Sequence, residues 1–553
     1  MSYKKLFSTI VLGSVFAFGN SVFANDTNSV IPCDDCNTKA TLNIYYINDT
    51  HGELVNLGKL ITQLNKIKKS ENPETTLIST QGDMYIGRND KRNSAMTKLL
   101  NIAGVELFTL GNHEFDDGSA SLAKELRKGN FVTLMTNMEI PEGNPLNDLK
   151  TEGKLFSSYV MTKNGEKYGF IGAAPIGVNL GLFDKDNQVS VYDSEGTVVA
   201  LNNEVKKLEE QGINKIIFVS HLGYFGEGGD LAIAKKTEGI DVILGGHTHL
   251  EIDGIQTKDV DKTHLTNLVL SKKGEPVVIV QTCGMAKDIG NLKVTFNTNG
   301  VIITDSKKNT ISNNHIRIDK NSPTDKTIQR IVEKALGVDK VVAVAKTPFV
   351  SSGTTEERNL ENPTANLLCD AAFEAAKGKN PEAVLVHSPT VRGGLVGNIT
   401  TYQVKYSMLP FNGQMFYAEL SEKDFVNLLN TEALTSMTTD NSQMIQVHGM
   451  KYVVDKTVKN PQNPDTICVK DIVFVDKNNN VVRKINSNNP SEKDTVKCVV
   501  AGYLFLDKRT KLILQNAKNV QLVGKEQDIV LRYLKKHKSI DAVREGRVTV
   551  IEK

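Results

Sequence analysis

Between residues 42 and 296 the chain returns again and again to short, continuous apolar runs, and this recurrence restricts the fold more than any other feature. The runs are LNIYYI, TLIS, VELFTL, FVTLM, YGFIGAA, KIIFV, DVILG, PVVIV and LKVTF. Runs of this length without polar alternation mark strands covered on both faces. Helical stripes lie between several of them, with Leu57, Leu60, Ile61, Leu64 and Ile67 in one and Leu201, Val205 and Leu208 in another. Alternating strand and helix predict a layered α/β domain over residues 41–320. Short gaps between some runs leave room for antiparallel partners as well.

Residues 321–340, NSPTDKTIQRIVEKALGVDK, predict a connecting helix capped by Thr324, striped by Ile328, Ile331 and Val332, and stopped near Gly337. Residues 341–553 then read as a second, smaller α/β domain. ENPTANLLCDAAFEAAKG predicts a helix, EAVLVHS a strand, and SEKDFVNLLN a helix with Phe425, Leu428 and Leu429 inward. A chain of 553 residues is too long for one core, so at least two domains are required.

Residues 1–24 stand apart from this pattern. Lys4 and Lys5 precede an apolar stretch from Leu6 to Phe18, and Val22 and Ala24 supply compact residues for cleavage. This is the pattern of a secretory signal peptide cut after Ala24, and the apolar core is short for a bilayer span of about 20 residues. The expectation is a periplasmic or secreted protein with no transmembrane segment in the mature chain. The formal charge of +2 falls to neutrality once Lys4 and Lys5 leave, and no nucleic-acid partner is expected.

Export permits disulfides among Cys33, Cys36, Cys283, Cys369, Cys468 and Cys498. Residues 25–40 form a cysteine-containing N-terminal segment in which Cys33 and Cys36 predict a local bridge. Cys468 and Cys498 each join an apolar run and could staple neighbouring strands, while Cys283 and Cys369 read as buried thiols.

Chemistry collects where the strands end. Asp49 and His51 follow LNIYYI, Asp83 follows TLIS, and Asn112, His113 and Asp116 follow VELFTL. His221 follows KIIFV, and His247 and His249 follow DVILG. The ends of strands are where open α/β sheets place ligands. Any one of these groups alone would read as an ordinary hydrogen-bonded residue. Buried together they impose desolvation and like-charge costs that divalent cations offset. Nitrogen and oxygen donors without thiolate fit borderline to hard ions, and the groups suffice for two ions with one carboxylate between them.

In this order and spacing, NDTHG, GD, GNHEFD, SHLG and GHTH resemble the exported 5'-nucleotidase and UDP-sugar hydrolase family of the dinuclear metallophosphatase superfamily. The resemblance implies a calcineurin-like αββα domain followed by a 5'-nucleotidase-type C-terminal domain. It implies one ion held by Asp49, His51 and His249, a second by Asn112, His221 and His247, and Asp83 between them. Zinc, manganese, magnesium and cobalt all remain open. His113 would stabilise charge on the reacting phosphoryl group with Asp116 orienting its ring, and a metal-bridging water would attack phosphorus.

The resemblance continues through VLVHSPTVRGGLVGNIT and LPFNGQMFYAEL, where Arg392 matches an anion-binding arginine and Arg358 reads as a second anionic contact. Phe411 is a candidate for one side of a base-stacking clamp, and Tyr503 stands near the family's second aromatic position. Two departures accompany these matches. HSPTV replaces a glycine-rich run before Arg392, and AGYLFLDKRT lacks the family's Gly-Gly-Asp turn. The implied activity is hydrolysis of a small phosphorylated substrate, 5'-nucleotides to nucleosides and phosphate. The alternatives are UDP-sugars, cyclic nucleotides or a small non-nucleotide anion, or a metal-containing binding protein without turnover.

Overall fold

The computed structural model describes residues 38–552 except 88, 179, 181–188, 260–264, 305–309, 320–321, 350–354 and 439–443. The expected leader and the Cys33 and Cys36 pair lie outside the described residues.

Each apolar run of the first half forms a strand, and the strands build two sheets. One takes the order Ile311–Arg317, Asp288–Asn297, Thr38–Ile47, Thr76–Thr80, Leu107–Thr109, Val132–Leu134, Leu155–Phe156. From Thr38–Ile47 onward its neighbours run parallel, and the first two strands are antiparallel additions. The other takes the order Leu268–Leu270, Pro276–Val280, Val242–Leu244, Ile216–Ser220, Glu166–Ala173, Ser158–Lys163, with a parallel centre and an antiparallel strand at each edge.

Strand periodicity explains why the two sheets stack. Leu42, Ile44 and Tyr46 point to the same inner core as Ile217, Val219, Leu244 and Val280 of the other sheet. Their neighbours Tyr45 and Ile47 face helices Leu54–Ile67 and Asp90–Ala103, and Ile216 and Phe218 face helix Ser194–Glu209. Two inner sheets and two outer helical layers make the expected αββα domain, in which successive side chains of one strand fill different layers.

The helix Lys326–Leu336 is not a free connector. Ile328, Val332 and Leu336 are buried in the outer helical layer of the first half, with Ile328 directly against Gly58. Its cap is Asp325 rather than Thr324. The Asp325 carboxylate accepts from the backbone N–H groups of Thr327 and Ile328, and a charged acceptor suits the positive end of a helix better than a hydroxyl.

Residues 341–551 pack around a five-stranded sheet in the order Ile445–His448, Ala383–His387, Thr495–Ala501, Gln414–Ser421, Lys518–Lys525. Helices Pro363–Ala375 and Glu526–His537 cover one face. The helix Glu422–Thr438 and a four-stranded sheet cover the other, with Phe425, Leu428 and Leu429 buried as expected. Among the described residues no helix is long and apolar enough to cross a membrane.

The expected staple between Cys468 and Cys498 is not formed. Cys283, Cys369, Cys468 and Cys498 are all free thiols. Cys498 lies in the five-stranded sheet with its thiol toward the Ala418 carbonyl, whereas Cys468 precedes a strand of the four-stranded sheet and meets Asn430. An apolar run identifies each strand but not the sheet it joins. Denatured without reductant, the protein should therefore react with thiol reagent at all four of these positions. Peptide mapping that found Cys468 and Cys498 joined would contradict the fold described.

Candidate metal centre

The strand ends converge on one edge of the sandwich. Asp49, His51, Asp83 and Asn112 come from loops of the seven-stranded sheet, and His221, His247 and His249 from loops of the six-stranded sheet. Asp49 and Asp83 are 0% and 2% exposed, so neither carboxylate is neutralised by solvent. Reaching this arrangement requires unusual backbone. Asp49, His51, Asp83, His247 and His249 all have φ between 47° and 73°, in the left-handed region that non-glycine residues avoid. Such residues cost about 1–3 kcal/mol each and gather where function requires them. Two glycines make the space. A Cβ on Gly111 would lie 2.2 Å from Asp83 Oδ1, and one on Gly82 would lie 2.5 Å from the Gly111 nitrogen.

The donor atoms form two groups, linked by a third made of His51, Asp83 and His113. Asp49, His51 and His249 bring one ligand atom each within 4.8 Å of one another, and so do Asp83, His221 and His247. In the first, His249 Nε2 lies 3.1 Å from both Asp49 Oδ1 and His51 Nε2. Two imidazole nitrogens aimed at one ion at ~2.0–2.1 Å would stand about 3 Å apart. In the second, His221 Nε2 is 3.2 Å from Asp83 Oδ2. His221 Nδ1 donates to the Gln81 carbonyl, which leaves Nε2 as the atom turned toward the carboxylates.

Asp49 Oδ1, Asn112 Oδ1 and His221 Nε2 are each buried with no hydrogen-bond partner. Buried polar atoms in folded proteins are usually paired, so three orphaned acceptor atoms at one point fit a cation. The charge balance agrees. Burial would raise the pKa of Asp49, but His249 and His221 outweigh it and hold the carboxyl below its usual range. Burial would lower that of His221, but Asp83 and Asp49 push it up to about 10, a measure of how strongly the two carboxylates select positive charge. Burial lowers the pKa of both His51 and His249, toward the neutral form that a metal ligand takes.

His113 and Asp116 form a pair beside these groups. His113 Nδ1 lies 2.9 Å from Asp116 Oδ2, and the His113 backbone N–H donates to Asp83 Oδ1 at 2.8 Å. Burial opposes charge on His113, yet Asp116 and Asp83 raise its pKa.

Two residues with large roles carried no legible signal. Glu114, buried inside GNHEFD, accepts from the backbone N–H groups of Gly111, Asp83, Met84 and Tyr85 at 2.7–3.1 Å and so ties two ligand loops together. Arg92 is 0% exposed, although its helix reads as polar surface. It donates to the carbonyls of Gly52 (2.6 Å) and His51 (2.8 Å), and across the molecule to Pro410 (3.1 Å). Its guanidinium also stacks 5.0 Å from the Tyr406 ring centroid.

Arg92 thereby places the 406–411 loop over the centre. The Phe411 ring lies 5.1 Å from the His113 ring and 5.1 Å from the Arg392 guanidinium. Arg358, Arg392, Phe411 and Tyr503 line one cavity of about 950 Å³ together with His51, Asp83, Asn112 and His113. The expected site residues of both halves are thus brought together, with Asp49, His221 and Asp116 buried behind the cavity wall.

Residues 42–251 match the calcineurin-like phosphoesterase family, and residues 341–486 match the 5'-nucleotidase C-terminal domain family. The chain belongs to this two-domain 5'-nucleotidase family. A trifunctional nucleotide phosphoesterase, YfkN of Bacillus subtilis, is 26% identical over 460 residues, 78% of this chain and 30% of that protein. The 5'-nucleotidase of Bos taurus is 30% identical over 323 residues, 57% of this chain and 54% of that one. The chain therefore spans about a third to a half of these two relatives. The crystal structure of a 5'-nucleotidase precursor from Thermus thermophilus shares the fold with a TM-score of 0.75 at 22% identity, covering 93% of this chain and all of that one.

Within this family member Arg92 is a structural clamp. Arg92→Met should destabilise the protein by about 3 kcal/mol or more, because it leaves several buried carbonyls unpaired. Denaturant unfolding measures this, and a loss within about 0.5 kcal/mol of zero would refute the clamp.

Proposed function

We propose that the protein is an exported, metal-dependent phosphoesterase that hydrolyses 5'-nucleotides or closely related phosphate esters. The observation that carries this reading is the set of orphaned buried acceptors, Asn112 Oδ1 in the wall of the cavity and Asp49 Oδ1 and His221 Nε2 behind it, beside a cavity that two arginines also line. Asp49, His51 and His249 would hold one divalent ion and Asn112, His221 and His247 another, with Asp83 shared. Such ions supply Lewis acidity toward phosphoryl oxygens and an activated water nucleophile.

The side chains divide the remaining work. With His113 Nδ1 committed to Asp116, its Nε2 carries a proton toward a phosphoryl oxygen, and the raised pKa keeps that proton in place as negative charge develops. Arg392 and Arg358, both less than a tenth exposed, offset the charge of the incoming ester. Arg392 touches Phe411 beside His113, so anion binding and the reacting centre share one wall. Export through the leader at residues 1–24 belongs to the same reading, and the mature chain should begin near Asn25.

The central test is metal dependence. Chelation should abolish hydrolysis of 5'-nucleotides and a divalent ion should restore it, whereas full activity in metal-free protein would sink the proposal. Asp83→Asn should reduce bound metal at both positions, measured by elemental analysis. His113→Ala should retain the metal but lose about 10²–10³-fold in turnover. Equal metal loss in both variants would contradict the division of roles. Arg392→Ala should weaken binding of the anionic substrate by roughly 1.5–3 kcal/mol, read from KM.

A further inference from the structure

The two aromatic residues expected to clamp a nucleobase are both engaged already. Phe411 packs against His113 and Arg392, which places its ring at the reacting end of the cavity. Tyr503 is stacked by the His387 ring at 4.5 Å and 30°, and its hydroxyl donates to Asp507 at 2.8 Å. Asp507 is in turn gripped by Arg509 through two hydrogen bonds of 2.8 Å. These groups form a polar wall where a base stacked on the His387 side of Tyr503 would have to displace an existing contact.

The same cavity has another wall with the opposite character. Phe416 and Phe505 meet edge to face, with ring centroids 5.5 Å apart, and both line the cavity. Beside them Leu506 and Val520 are 43% and 45% exposed, and Phe225 of the first half, 45% exposed, lines the same space. Apolar side chains left this open in a cavity continuous with a reacting centre are incompletely covered, and covering them would release apolar surface from water. His387 takes the face of Tyr503, and the chain after Gly502 turns through Phe505 and Leu506 to present them to the cavity.

We infer that the leaving group of the substrate carries a flat aromatic body, such as the base of a nucleoside, bound against Phe416 and Phe505 and not between Phe411 and Tyr503. This rests on the phosphoesterase reading for the reacting end, but the subsite is separable from it. Phe416 and Phe505 act as specificity residues: the edge and face of two rings inclined at 67° receive a planar group, and Leu506, Val520 and Phe225 exclude water around it. The polar wall of His387, Tyr503 and Asp507 is then left to contact the sugar or other linker.

The experiment compares metal-loaded wild type with Phe505→Ala, Phe505→Leu and Phe411→Ala on adenosine 5'-monophosphate, uridine 5'-monophosphate, phenyl phosphate and ribose 5-phosphate. The quantity read is the ratio of kcat/KM for each aromatic ester to that for ribose 5-phosphate. Phe505→Ala should lower the nucleotide ratio by about 5- to 150-fold, the equivalent of ~1–3 kcal/mol of stacking, and Phe505→Leu should follow it because shape without a ring does not stack. Phe411→Ala should lower all esters together and leave the ratio unchanged. A fall for nucleotides but not phenyl phosphate identifies a base held beyond a sugar, and a fall for both identifies a general aryl pocket. Either result supports the subsite. A ratio that ignores Phe505, or one that falls with Phe411→Ala instead, overturns it.

Calorimetric binding of free adenosine to the same proteins separates the two readings. Nucleoside binding that depends on Phe505 without hydrolysis of any ester would keep the subsite and remove the phosphoesterase. Hydrolysis with no dependence on Phe505 in either assay would do the reverse.

Discussion

The structure depends on how two buried carboxylates are tolerated. Asp49 and Asp83 end neighbouring parallel strands, almost wholly removed from water and with like charge. Taking each such ion out of water costs several kcal/mol, and the low-dielectric surroundings sharpen their repulsion. The balancing charge comes from His221, which the other sheet delivers together with the imidazoles of His247 and His249. The αββα sandwich therefore has to bring the corresponding ends of both sheets to one edge, and the left-handed residues at five ligand positions are the local cost of aiming the side chains there.

The second half of the chain completes this edge from above. The helix Lys326–Leu336 is built into the helical layer of the first half, and the Tyr406 hydroxyl donates to the Leu336 carbonyl at 3.1 Å. Arg92 then joins the carbonyls behind His51 to that of Pro410. A buried guanidinium whose side-chain hydrogen bonds go to backbone carbonyls positions two loops at once, and its planar fork is suited to this in a way that an ammonium is not. Through that contact the position of Phe411 over His113 is coupled to the loop that carries His51.

Chemistry and recognition are consequently distributed on different principles. The buried groups near Asp83 answer to charge and are held by short backbone loops with little room for change, as the steric limits at Gly82 and Gly111 illustrate. The outer cavity answers to shape and apolar surface, and here the side chains from His387 to Leu506 define what fits. Substitutions in the second region can redirect what is bound without disturbing the charge balance of the first.

What could be read from the chain alone follows from periodicity and from chemistry at the ends of apolar runs. Strands, the major helices and the groups at Asp49, Asp83, Asn112 and His221 were legible because a strand covered on both faces leaves no other place for a carboxylate or imidazole than its end. Pairing between distant segments was not. Nothing in the local pattern of Cys468 and Cys498 tells which sheet each run joins, and nothing in DKRNSAMTKLL marks Arg92 as buried, because its partners are carbonyl groups that every residue possesses. The same limit applies to Phe411 and Tyr503, whose aromatic character is local information while the neighbours already resting against them, Arg392 and His387, are not. Sequence by itself determined which chemical groups the site contains, because side-chain type and run position are local properties. Only the tertiary structure decided which of them face one another, because that depends on packing between segments hundreds of residues apart.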